Sequence, residues 1–146
     1  MNVTNLTDNR IYLQHKIQNL RAREKIFIMM VDEIHIRPMV ESHLSYGTHG
    51  FDSESDHIAK TIFGFMIKSV FGPYKEIVSL IPRFRETGNQ LFEHCFEVMR
   101  MVTQAGGSII SLVTDNNRVN ENMFKRFNVD RGVSETYYPA TRESFF

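Results

Sequence analysis

The sequence predicts an α/β domain built on a mixed sheet with helices packed against it. Three observations lead there. Two short apolar runs, residues 25–32 and 108–115, each stop at a carboxylate, Asp32 and Asp115. Two further runs, residues 61–70 and 76–81, flank the turn-forming Phe71, Gly72, Pro73 and Tyr74, which predicts an antiparallel hairpin. Between the hairpin and the second acid-ended run, apolar residues recur at helical spacing.

Taken in order, residues 8–23 read as a helix, because Asp8 can cap it and Leu13, Ile17 and Leu20 share one face. The first strand follows at 25–32, and Ile34 and Ile36 extend its alternation until Pro38. Residues 40–46 suit a second extended piece, and 47–56, rich in Gly, Ser, Asp and His, an exposed loop. The hairpin comes next, with Pro82 expected to end its second strand. Over 87–104, Leu91, Cys95, Val98, Met99 and Val102 form an apolar stripe, and Gly106 and Gly107 supply a C-terminal stop. After the strand at 108–115, residues 118–127 suit a short helix presenting Val119, Met123 and Phe127. The tail, 128–146, shows no clear period. The organisation is thus a helical lead-in (1–24), the α/β unit (25–127) and an irregular tail.

Composition bounds the function. The 146 residues suit one domain or part of a larger one. Seventeen basic and seventeen acidic residues cancel, so nucleic acid is not held by a global basic surplus, and any contact with it must be local. Cys95 is the single cysteine, which excludes an intrachain disulfide framework. The longest fully apolar run, 26–31, is too short to span a membrane, and residues 2–10 are too polar for a secretory signal.

The chemistry rests on the two acids. An unpaired buried carboxylate is costly, so each belongs at the wet end of its strand. A strand returning through a helical crossover lies parallel to its partner. If the two runs pair in this way, Asp32 and Asp115 become neighbours at one sheet edge, the geometry of a ribonuclease H-like core and a site for divalent metal. The competing reading of Asp115 is a helix cap or turn residue, given Asn116 and Asn117 after it; that of Asp32 is a solvated strand end. Glu33 should point away from Asp32. Asn116, Asn117 and Asn120 suit either capping or contacts to metal-bound water or DNA. His43, His49 and His57 fit no metal-ligand spacing. Arg83 and Arg85 could touch phosphate, though a solvated edge is the plainer reading. No Gly-rich phosphate loop follows the first strand, which argues against a nucleotide-binding alternative.

Phe27 to Ile34 resembles the first catalytic strand of P-element-type transposases, including the THAP-domain transposase-like proteins. The match continues through Phe63 to Met66 and Tyr74 to Val78, and then through Gly106 to Asp115, Asn120 and Met123 to Lys125, in order and spacing. The resemblance implies an RNase H-like core, here incomplete, that cuts and joins DNA with Mg2+ or Mn2+. Asp32 and Asp115 would be the first two acids of its catalytic triad. It also implies nuclear DNA, transposon ends and target, as partner, and leaves room for a homo-oligomer. The family's third acid, its His-Leu-x-Lys-like segment and its GTP-binding insertion are not in this sequence, and one cysteine cannot build a THAP zinc module. The expectation is therefore part of a transposase catalytic core, inactive alone. The alternative is a domesticated or decayed, non-catalytic interaction module.

Overall fold

Alternation in the first strand sets the layers. In the computed structural model, which describes residues 6–37, 41–43, 47–49, 57–115, 117–131 and 143–145, strand β1 (Ile26–His35) buries Phe27, Met29 and Val31 and leaves Ile26, Ile28 and Met30 half-exposed. Successive side chains of a strand point to opposite faces, so β1 presents one dry face and one partly wet one. The hairpin strands β4 (Thr61–Ser69) and β5 (Lys75–Arg83) lie antiparallel on one side of it. Strand β6 (Ser108–Thr114) lies parallel on the other. A short strand β7 (Glu143–Phe145) closes the order β5-β4-β1-β6-β7. Strands β2 (Glu41–His43) and β3 (Gly47–His49) form a separate antiparallel pair.

The helices gather on the dry face. Helix α1 (Leu6–Gln18) contributes Leu13 and Ile17 to the core that holds Phe27, Met29, Val31, Phe63, Phe65 and Ile67. Helix α2 (Gly88–Gln104) adds Leu91, Cys95, Val98 and Val102, and α3 (Arg118–Arg131) adds Met123, Phe124 and Phe127. Both ends of α2 are fixed by local chemistry. At its start Thr87 Oγ1 accepts from the Gln90 N–H (3.3 Å) while the Gln90 side chain accepts from the Thr87 N–H (3.2 Å), a capping box. At its end the Gly107 N–H donates to Val102 O and the Gly106 N–H to Thr103 O, both at 3.0 Å, with Gly106 at φ 93°. This is a Schellman stop, which needs a residue free to adopt the left-handed region. Helix α3 crosses close to the start of α2: a Cβ on Gly88 would sit 2.6 Å from Asn122 Cβ.

Four local expectations are corrected. The first helix ends at Gln18, and residues Ala22–Lys25 form a separate 3-10 turn closed by Glu24, whose carboxylate accepts the Arg21 N–H at 3.0 Å. Pro82 does not end its strand; it pairs with Ile62 and β5 runs on to Arg83. An edge strand tolerates a residue without an N–H, and β5 is an edge strand. Residues 47–49, read as loop, pair with 41–43, while 50–56 lie outside the described residues. The tail is not wholly irregular, since α3 continues to Arg131 and β7 pairs with β6.

Leu91 is fully buried, so Leu91→Asp puts an unpaired charge in the core and should lower unfolding free energy by about 4 kcal/mol, measured by urea titration. Cys95 is buried 3.2 Å from Met123 Sδ. Burial, with a smaller contribution from Glu86, pushes its thiol well above the ordinary value of 9.0. Above that pH the unfolded thiol loses its proton while the buried one keeps it, so stability falls as pH rises. Stability should fall by about 1 kcal/mol between pH 9 and 10, and by less in Cys95→Ala.

Candidate functional site

The parallel pairing of β1 with β6 ends at Val31 and Thr114, and the next residue on each chain is an acid, Asp32 and Asp115. Adjacent strands lie about 4.8 Å apart, so the two acids leave neighbouring backbones at the same edge. Met30 is half-exposed, and two-residue alternation carries that side of β1 on to Asp32, whereas Asp115 lies just past the end of β6 at Thr114. Both acids are exposed.

The two are held differently. Asp32 Oδ1 accepts the N–H of Glu33 at 2.9 Å. Asp115 Oδ1 accepts from the Asn117 N–H at 3.4 Å and, in a short contact, from Asn120 Nδ2. Asn120 Nδ2 also donates to the Asp115 carbonyl at 3.2 Å. Asn117 is the N-cap of α3, its Oδ1 accepting from the Asn120 N–H at 3.0 Å. Asp115 is thus bound into the first turn of that helix. Asn120 is buried, and its Oδ1 has no partner among the described residues. Such an orphaned oxygen costs about 1–3 kcal/mol.

Glu33 lies on the opposite alternation from Asp32. It accepts from Asn117 Nδ2 at 3.4 Å and lies 3.8 Å from His35 Nδ1. This link spans 84 residues, and no local pattern in the sequence announces it. Asn116 lies outside the described residues, as do the side chains of His43 and His49. Arg83 is neither a phosphate ligand nor a solvated edge residue, because it is buried with Nε 2.9 Å from the carboxylate of Glu86.

Hard oxygen donors of this kind suit magnesium or manganese better than zinc or copper. Asp32 and Asp115 each keep one carboxylate oxygen uncommitted among the described residues, where no three His, Cys, Asp or Glu side chains converge.

A sheet with a parallel central pair, an antiparallel hairpin beside it and acids at the paired ends defines an RNase H-like domain. Residues 8–128 match the family model of the TNP-like, RNase H N-terminal domain, so the chain belongs to that family and is a transposase-type RNase H-like region. Among solved structures it is similar to the Drosophila P element transposase strand transfer complex, with a TM-score of 0.59 and 12% identity. The match covers 77% of this chain and 24% of that one. No curated protein matches the sequence. Among the described residues no helix is long and apolar enough to cross a membrane.

Asn117→Ala removes the α3 cap and should lower stability by about 1 kcal/mol. Asn117→Ser, which caps nearly as well, should recover most of the loss in the same urea titration.

Proposed function

We propose that this chain supplies the first two acids of a P-element-like DNA transposase centre, with Asp32 and Asp115 as ligands to Mg2+ or Mn2+. One observation carries the reading: two exposed carboxylates follow the last pair of neighbouring parallel strands. When bound, divalent ions activate a water or hydroxyl for attack on phosphorus and stabilise the leaving oxygen. The chain's own part is to fix the spacing of the acids through the β1–β6 ladder and the orientation of Asp115 through the first turn of α3. The substrate is nuclear DNA, transposon end and target, as the resemblance to P-element-type transposases and the THAP-domain transposase-like proteins implies.

A second reading has one observation in its favour. Asp115 Oδ1 already serves the α3 turn, as it would in a domesticated module that keeps the fold and not the reaction. Metal binding separates the two readings.

With no third acid or histidine converging among the described residues, the chain alone should hold magnesium weakly and leave DNA uncut, since a half-filled site cannot align the attacking water. Magnesium titration followed by NMR should shift resonances around Asp32 and Asp115, and the shifts should vanish in Asp32→Ala and in Asp115→Ala. Absence of any magnesium-dependent shift would sink the ligand assignment. Magnesium-dependent plasmid nicking abolished by either substitution would show that the chain is a complete nuclease.

A further inference from the structure

We infer that Lys60 and Arg85, mounted on Phe84, form a contact for the phosphate backbone of duplex DNA on the sheet face that carries Asp32. The inference rests on the transposase reading above and adds the place where the substrate is held. Lys60 Nζ lies 4.5 Å from the centre of the Phe84 ring and Arg85 Cζ 5.4 Å from it. The His57 ring stacks on Phe84 at 4.8 Å, with 28° between the planes. Lys60, Arg85 and His57 are all exposed.

Three features make this more than a solvated edge. The first is position. Asp32 pairs with Gly64, Gly64 with Leu80 and Ile62 with Pro82. Counting by twos along these rows brings Lys60 and Phe84 onto the face that carries Asp32. Lys60 stands about 13 Å along the strand direction from Asp32 and one strand across, a span of about four base steps.

The second feature is rigidity. The buried Arg83–Glu86 pair clamps the two residues between them, Arg83 Nη2 donates to Arg85 O at 3.4 Å, and the Lys60 N–H donates to Arg83 O at 2.9 Å. Phe84 and Arg85 are therefore presented from a fixed turn. Phe84 itself is already contacted by three side chains, so it serves as a pedestal for cations and not as a platform for a base.

The third feature is charge. Lys60 and Arg85 share one ring, which keeps them no farther apart than the Debye length of ~10 Å at 0.1 M salt. Neither makes an ion pair with a carboxylate among the described residues. Two like charges gathered without a paired carboxylate among the described residues repel each other, and a phosphate between them relieves the repulsion. A chain of zero net charge can hold DNA through such a local pair.

The test is fluorescence anisotropy of a labelled duplex titrated with the 146-residue chain from 50 to 200 mM salt. Chelator is present throughout, so that the metal site does not contribute. Lys60→Ala/Arg85→Ala should bind more weakly, with a plot of log affinity against log salt shallower by about two. Lys68→Ala/Lys75→Ala removes the same charge from an exposed cross-strand pair at the opposite end of the hairpin and should keep the parent slope. Equal losses in the two double variants, an unchanged slope in the first, or no binding by the parent at 50 mM salt would each overturn the assignment. Loss of magnesium shifts with the DNA result intact would instead count against the metal reading alone.

Discussion

The parallel ladder between β1 and β6 is the constraint on which the rest depends. The chain leaves β1 through the β4–β5 hairpin, and α2 is the crossover that carries it from the edge strand β5 back across the sheet to β6. Its stripe of Leu91, Cys95, Val98 and Val102 finds an apolar surface because Phe27, Met29 and Val31 alternate onto one face of β1. The same ladder fixes which residues come next on each strand, and so makes neighbours of two acids more than eighty residues apart. A slip of one residue in this register would turn Asp32 toward the helices, where a lone carboxylate is costly.

Much of this was legible in the sequence because the signals are periodic and local. The stripe of α2, its cap at Thr87 and its stop at Gly106 and Gly107 are set by residues within a few positions of one another, and so are the acid-ended strands. Features that depend on long-range context were not legible. Pro82 reads as a terminator until β5 is known to be an edge strand, where its missing N–H breaks no ladder bond. Arg83 reads as a surface cation until alternation sets it on the helix side, against Glu86. Of the proposed phosphate contact only Arg85 was named from the sequence; Lys60 and Phe84 are 24 positions apart and meet only through the β4–β5 register.

The two faces of the sheet divide the labour. The helix face is dry, and there Arg83 is tied to Glu86 and Asn117 to Glu33. The other face stays partly wet, with Ile77 44% and Ile34 53% exposed, and it carries Asp32 and the cations around Phe84. Zero net charge over the whole chain is therefore compatible with a strongly patterned local field, acids at the centre of the edge and cations at its flank. Such patterning sets where a polyanion docks more than how tightly the whole chain attracts it.

The two acids are unequal partners. Asp32 is fixed by its own strand and the N–H of the next residue, so its side chain has little structural duty. Asp115 is tied to Asn117 and Asn120, and through Asn117 to Glu33 on β1. That chain of contacts couples the cap of α3 to the carboxylate and holds it in place before any ligand arrives, which lowers the entropy that binding must remove. It also explains how one residue can satisfy both readings of the sequence. A cap network that engages one oxygen of Asp115 leaves the other open, so the proposed ligand duty would fall on a different atom of the same side chain from the structural one. The orphaned Oδ1 of Asn120 is a cost that a purely structural turn could shed by substitution with an apolar residue. That cost is borne beside Asp115, to which the same side chain donates through Nδ2.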